Sequence, residues 1–196
     1  MNTTSASLLE RLFSDPEESP SAWKRLEAVY SPLIRGWLRR HGIRPDDADD
    51  LTQEVLVVVI RRFPEFRHNH RTGAFRTWLR AITVNCCRDF WKANRLRPVN
   101  AGGSDFGGYL DQIADPDNPL TAEWDREHDL FVTRQLLDLI RPEFETKTWE
   151  AFRRVALVGE SASSVAAALG LSTNAVFIAK SRVLARLREE ANGLVS

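Results

Sequence analysis

The most informative segment of the second half of this chain reads VAAALGLSTNAV, residues 165–176. Ala166 is small, which suits two helices that cross closely, and Gly170 can take the positive φ of a tight turn. Ser172, or the threonine after it, can cap the helix that follows. The offsets between these positions and Val176 are those of a helix-turn-helix, a motif whose second helix enters the major groove of DNA.

The second helix of this motif presents polar and basic residues away from its apolar side. Early residues of such a helix reach base edges, and later cations contact phosphates. The alternative is a helical hairpin whose basic face is only solvated. The candidate residues for contact with duplex DNA are Ser172, Thr173, Asn174, Phe177, Lys180, Ser181, Arg182 and Arg186.

Outward from this motif, most of the chain has the apolar spacing of amphipathic helices, and almost none of it has the alternation of strands. A proline at position 45, followed by aspartates, suits the first turn of a helix. The sequence therefore predicts an all-α fold. The predicted helices cover about residues 21–40, 45–62, 74–94, 120–140 and 143–158.

The segment between residues 98 and 119 is rich in glycine and aspartate, which is typical of a linker. A stretch of this length without secondary structure is unusual inside one compact domain. We therefore divide the chain into two helical domains, residues 1–97 with three helices and residues 120–196 with the helix-turn-helix. Residues 98–119 are expected to form a flexible, acidic linker between them.

The charge of the chain is balanced in total but not along its length. It has 27 basic and 27 acidic residues, yet residues 21–97 carry a net charge of +8 and residues 98–160 a net charge of −7. Clustered positive charge attracts phosphates whatever the total charge is. The distribution therefore favours a nucleic-acid partner for the first domain.

Residues 66–97 interleave aromatic and basic side chains. Basic side chains attract the nucleic-acid backbone, while aromatic rings can stack on bases released from a duplex, so the pattern suits single-stranded or melting DNA. Alternatively, the aromatic residues belong to the core and the arginines form a solvated face. We favour a core position for Trp78 and Phe90, and exposure for Trp91, which lies off the main apolar stripe.

Other function classes have weak support in the sequence. Cys86 and Cys87 are adjacent, so a bridge between them would be strained, which fits a reducing cytosol. His68 and His70 lack further ligands at metal spacing, so we expect no metal or cofactor. We find no signal peptide, membrane span, phosphate loop or nucleophile elbow, and we expect no enzymatic activity.

Three stretches of the first domain together resemble conserved region two of extracytoplasmic-function (ECF) sigma factors, a group of the sigma-70 family. They are the tryptophan-led helix Trp23–Ile34, the acidic segment Asp47–Val55 and the Phe-Arg-Thr-Trp-Leu segment Phe75–Asp89. The helix-turn-helix after the linker resembles region four. The resemblance covers nearly the whole chain, with the segments in the expected order.

The resemblance implies a transcription initiation factor that binds core RNA polymerase and promoter DNA, without a membrane partner. Asp50, Gln53 and Glu54 match the surface that docks on the clamp of the largest subunit, and the second domain would contact the flap and read the minus-thirty-five element. Family membership also admits an anti-sigma factor as a partner. The residues implied to capture a flipped minus-ten base or to hold the nearby backbone are Arg67, His70, Arg71, Phe75, Arg76, Arg80, Asn85, Arg88, Trp91 and Lys92.

The recognition helix departs from the family pattern. Members often carry Lys-Ser-Arg directly after the helix valine, whereas here Phe177-Ile178-Ala179 follow Val176 and Lys-Ser-Arg comes three residues later. The two apolar side chains could face a partner protein or a thymine methyl. Two other function classes compete with the sigma factor: a stand-alone helix-turn-helix regulator, and a nucleic-acid enzyme such as a nuclease.

Overall fold

The structure is a computed structural model that describes residues 8–14, 20–66, 73–94 and 103–195. All regular elements in these ranges are helical. The α-helices are α1 (Leu8–Ser14), α2 (Pro20–Arg40), α3 (Pro45–Arg62), α4 (Ala74–Asn94), α5 (Gly103–Ala114), α6 (Pro119–Ile140), α7 (Thr146–Phe152), α8 (Ala162–Leu169) and α9 (Thr173–Ala191). Short 3₁₀ turns cover Phe63–Glu65 and Arg141–Glu143, and a π-helical segment, Arg153–Val158, continues α7.

The chain forms two compact units, one mainly from Leu8–Val132 and the other mainly from Thr133–Asn192. In the larger unit, α2 packs on α3, and α3 packs on α4. Buried residues recur at helical spacing on each of these helices, for example Leu51, Val55 and Val59 on α3. The predicted bounds of these three helices are confirmed to within one residue.

The larger unit contains two helices, α1 and α5, that the sequence does not predict. The short helix α1 buries leucines and packs on α2. Helix α5 lies within the segment predicted to lack secondary structure, so that prediction is wrong for Gly103–Ala114. This helix buries Leu110 and Ile113 and packs on α4. The Thr121 hydroxyl donates to the carbonyl oxygens of Ile113 and Asp115 at 3.1 and 2.6 Å, which ties the start of α6 to the end of α5.

The smaller unit has two adjoining hydrophobic clusters. One joins the end of α6 to α7 and α9 through Leu137, Trp149 and Val183 among others. The second joins α7 to the helix-turn-helix, where Ala166 of α8 packs with Val176 and Ala179 of α9. The predicted motif is therefore present, and its second helix is held by buried residues along one side.

One observation bears on membranes. No single helix among the described residues is both long enough and apolar enough to cross a bilayer. The bent pair α8 and α9, with 104° between the helices, passes the same test by length and composition only.

Candidate nucleic-acid and protein interfaces

The turn of the helix-turn-helix fixes how α9 is presented. Gly170 has φ +65°, in the left-handed region that favours glycine, and its N–H closes the end of α8 on the carbonyl oxygen of Ala166. The Ser172 hydroxyl then accepts a hydrogen bond from the Ala175 N–H at 3.1 Å and caps α9, as the sequence predicts. The buried row on α9, which includes Val176, sets the rotation of the helix about its axis.

The exposed face of α9 contains most of the residues predicted to contact duplex DNA. They are grouped within the first three turns of the helix, where side chains of a recognition helix reach DNA. Lys180 lies at the margin of this face and is half-buried. The exposed residues are Ser172, Thr173, Asn174, Phe177, Ile178, Ser181 and Arg182.

Arg186 does not belong to this face. Its Nε donates to Glu143 at 2.7 Å, and one of its terminal nitrogens donates to Glu190 at 2.8 Å. The carboxylate of Glu190 is buried, so the guanidinium of Arg186 balances a negative charge in the interior. We therefore remove Arg186 from the candidate phosphate contacts, because its guanidinium serves the fold.

A second exposed face lies on α3 and carries the predicted polymerase-docking residues. Asp50, Gln53 and Glu54 are all exposed, and their spacing places them on one side of the helix. Val57 and Ile60 continue the same side and are also exposed, which is unusual for large aliphatic residues. Neither residue was predicted to belong to an interface, although both lie off the core stripe and this offset was a usable signal. An exposed side that combines acid, amide and aliphatic groups is suited to a protein partner.

The predicted base-stacking role of Phe75 does not fit its position. Its side chain is fully buried, and its ring contacts the rings of Tyr30, Phe66 and Trp78 at centroid distances of 5.4–5.7 Å. Trp78 contacts the same aromatic cluster but is only half-buried, and the other predicted core residue, Phe90, is half-buried as well. Phe75 is therefore a core residue, and its burial prevents stacking on a DNA base in this structure.

Arg76 and Arg80 are also placed differently from their predicted role on the DNA backbone. Arg80 donates to the Asp125 carboxylate at 2.5 Å, lies over the Trp124 ring at 5.8 Å and has a side chain only 7% exposed. Arg76 pairs with Asp125 at 3.2 Å and with Asp129 at 2.7 Å. Two acids of α6 thus neutralise two arginines of α4, so we remove both arginines from the candidate DNA contacts.

The start of α4 is shaped to receive Arg76. Gly73 has φ +74°, and a Cβ at this position would lie 2.7 Å from a terminal nitrogen of the Arg76 guanidinium. A larger residue there would strain the backbone and crowd the arginine. The turn before α4 and the α4–α6 ion pairs therefore belong to one local arrangement.

The remaining candidates for minus-ten contact differ in their surroundings. Asn85 and Lys92 are exposed on α4, whereas Arg88 donates to Asp111 of α5 at 2.6 Å on the surface. Trp91 is half-buried rather than exposed as predicted, with its ring 6.2 Å from that of Phe90. Three further candidates lie outside the described ranges: Arg67, His70 and Arg71. The same is true of His68.

The two cysteines are buried on α4 and have free thiols. Burial, assisted by the nearby charge of Glu54, raises the pKa of Cys86 to about 11. Burial raises the pKa of Cys87 further. Both thiols are therefore protonated at neutral pH, which leaves them poor nucleophiles.

Parts of this chain are similar to known proteins. The profile of Sigma-70 region 2 matches residues 28–97, which contain most of α2 and all of α3 and α4. An ECF RNA polymerase sigma-E factor from Haemophilus influenzae is 30% identical over 131 residues, covering 63% of this chain and 66% of the relative. RNA polymerase sigma factor CnrH from Cupriavidus metallidurans is 27% identical over 161 residues, covering 79% and 78%.

A third relative is the ECF RNA polymerase sigma-E factor from Escherichia coli K12, which is 28% identical over 109 residues. This alignment covers 52% of the present chain and 55% of that relative. The chain thus spans between about half and four fifths of the length of the curated relatives described here.

Proposed function

This chain belongs to the ECF sigma factors of the sigma-70 family, and from that premise we propose that it binds core RNA polymerase, recognises a promoter at two elements and nucleates DNA melting. Sigma factors are transcription initiation factors. The alternative of a stand-alone helix-turn-helix regulator is not favoured by this membership. The observation that carries the finer proposal is the exposed side of α3, because it offers a mixed polar and aliphatic surface for a protein partner in addition to the helix α9 that would read DNA.

Polymerase binding is assigned to the side of α3 formed by Asp50, Gln53, Glu54, Val57 and Ile60. The polar residues would orient the helix on the clamp of the largest subunit, and the two aliphatic residues would lose their contact with water. Burying apolar area supplies most of the free energy of such an interface, while charges set its register. The side is exposed in the described structure and is therefore available for this contact.

The duplex element is assigned to α9, and the melted element to the loop before α4 and the end of that helix. On α9, Asn174 and Ser181 would meet base edges, while Lys180 and Arg182 would meet phosphates. A flipped base costs a few kcal/mol to extract, and contacts from Arg67, His70, Arg71 and Asn85 would offset that cost. Arg88, Trp91 and Lys92 would hold the strand nearby.

The two functional regions in this proposal are residues 1–97 and residues 120–196. The segment 98–119 connects them and includes α5, which packs on α4. The second region would contact the polymerase flap while it reads the minus-thirty-five element. This division follows the order of the recognition surfaces along the chain.

The proposal is tested by titrating fluorescently labelled full-length chain with bacterial core RNA polymerase. Gln53→Ala combined with Glu54→Ala should weaken binding at least about tenfold, which corresponds to about 1.4 kcal/mol. Both side chains are exposed, so the far-UV circular dichroism spectrum should not change. If the wild-type chain does not bind core polymerase at all, the proposed function is wrong.

The matched control combines Gln112→Ala with Glu123→Ala. These residues have the same side-chain types and are also exposed, but they lie on α5 and α6. The control variant should bind core polymerase as the wild type does. Equal affinities for all three proteins would remove α3 as the docking surface.

A further inference from the structure

Phe177 and Ile178 lie on the exposed face of α9 with 54% and 48% of their surface accessible. The buried row Val176, Ala179 and Val183 faces the core, and we call the direction opposite this row the outward direction of α9. At 3.6 residues per turn, the side chains of Phe177 and Ile178 each point roughly 50° from that outward direction. Asn174 and Ser181 point almost along that direction, between the two apolar side chains. The centre of the recognition face is thus polar, with one large apolar side chain on each flank.

The same geometry places the cations of α9 farther round the helix. Lys180 and Arg182 point roughly 90–110° from the outward direction, on opposite sides. A helix with its side chains nearly fills a major groove about 12 Å wide, so side chains at this angle face the groove walls, where the phosphates are. Residues within roughly 50° of the outward direction face base edges on the groove floor. The flanking cations therefore favour DNA over a neutral protein surface as the occupant of this face.

We infer that Phe177 and Ile178 select thymine in the duplex promoter element by packing against its C5 methyl group. This inference rests on the proposed function of α9. The methyl of thymine is the apolar group that base pairs present in the major groove, and the other features there are hydrogen-bond donors and acceptors. An apolar side chain pressed against those polar groups would remove them from water without offering a partner. Selection therefore combines attraction to thymine with rejection of the other bases.

The promoter for the test is obtained by selection from random duplex DNA with the holoenzyme, formed from core polymerase and the full-length chain. Among the base pairs that α9 contacts, the enriched duplex element should contain at least one thymine that is the same in all selected sequences. Each thymine in this element is then replaced by deoxyuridine, which removes the methyl and leaves the base pair intact. Wild-type holoenzyme should lose about fourfold in affinity per contacted methyl, the factor expected for one buried methyl-sized group.

The decisive comparison is a cycle that combines deoxyuridine with Phe177→Ala or Ile178→Ala. At a contacted thymine, deoxyuridine should reduce the affinity of one of these variants by less than half of the factor found for the wild type. The reason is that the variant already lacks the side chain that packs against the methyl. Both side chains are half exposed, so truncation leaves the buried row of α9 intact. Leu157→Ala is the matched control: its residue is 57% exposed, lies outside α9 and should leave the full deoxyuridine effect in place.

Each result has a distinct meaning. Enriched elements without a fixed thymine, or equal deoxyuridine effects in all four proteins, overturn the thymine assignment while the proposed function stands. The same holds if both α9 variants bind the promoter as the wild type does but lose binding to a protein, such as an anti-sigma factor. If the holoenzyme enriches no sequence, the proposed function fails and the inference fails with it.

Discussion

His128 is a fully buried histidine in the larger unit. Its ring stacks on that of Trp124 with centroids 5.6 Å apart, and Nδ1 lies 3.0 Å from a carboxylate oxygen of Asp129. An ionised Asp129 makes Nδ1 the protonated nitrogen of a neutral ring. Burial lowers the pKa of His128 below its ordinary value of 6.5, although the hydrogen bond and the charge of Asp129 act in the opposite direction. The folded protein therefore disfavours the imidazolium form.

This shift in pKa predicts a pH dependence of stability. Because the pKa is lower in the folded chain, the unfolded chain binds more protons as the pH falls below 6.5. Above pH 6.5, His128 makes its full contribution to the unfolding free energy. As the pH falls from 6.5 toward the pKa of His128 in the folded chain, this contribution decreases by up to about 1.4 kcal/mol per pH unit. His128→Gln should therefore reduce the loss of unfolding free energy between pH 7.5 and 5.5, measured by urea denaturation.

His41 provides the comparison for that experiment. Its pKa is also lowered, first by partial burial and then by the charge of Arg40, but the ring is only half-buried. His41→Gln should therefore reduce the pH dependence by less than His128→Gln does. An unchanged pH dependence in His128→Gln would show that His128 is protonated as readily in the folded chain as in the unfolded one.

At the scale of elements, the contact between α4 and α6 depends on ion pairs that differ in burial. Asp125→Ala leaves Arg80, with a side chain 7% exposed, without its carboxylate and also removes one partner of Arg76. Loss of one partner of a buried pair is expected to cost about 3–5 kcal/mol of unfolding free energy. Urea denaturation followed by circular dichroism measures this cost.

Asp111 of α5 is the matched exposed acid. Its side chain is 74% exposed and pairs with Arg88 of α4, so Asp111→Ala should cost less than about 1 kcal/mol. Equal costs for Asp111→Ala and Asp125→Ala would mean that burial does not decide the strength of these pairs. The α4–α6 contact would then have another origin.

The predictability of each element depends on how local its cause is. Helices α2, α3 and α4 were predicted because each has a continuous apolar stripe, and α3 also begins at Pro45 with acids behind it. The turn between α8 and α9 was predictable from Gly170, and the start of α9 from Ser172. Helix α5 was missed because glycine disfavours a helix, and burial of Leu110 and Ile113 against α4 outweighs that preference.

The errors at the candidate interfaces come from contacts distant in sequence. Arg76 and Arg80 are four residues apart, as are Asp125 and Asp129, so matched spacing of opposite charges was present in the sequence as a signal. Nothing local indicated that the two helices meet. The burial of Phe75 was likewise decided by its aromatic neighbours rather than by its own segment.

In the molecule as a whole, part of the positive charge and part of the negative charge neutralise each other through ion pairs within the chain. Acids of the negative segment 98–160 neutralise arginines of the positive segment 21–97, including Arg40, which pairs with Glu127 at 2.8 Å. Positive charge in the first half is therefore smaller at the surface than the sequence suggests. Within the ranges that the structure describes, the candidate interfaces consequently rely on a few exposed side chains rather than on a broad basic patch.

The proposed function requires that this chain direct RNA polymerase to start transcription at defined positions. Its most direct test is in vitro transcription from a genomic library template with core polymerase, with and without the full-length chain. RNA with discrete 5′ ends should appear only when the chain is present, and its amount should decrease strongly when Gln53→Ala and Glu54→Ala are combined. The absence of such RNA from every template, under conditions where the polymerase is active, would contradict the proposed function.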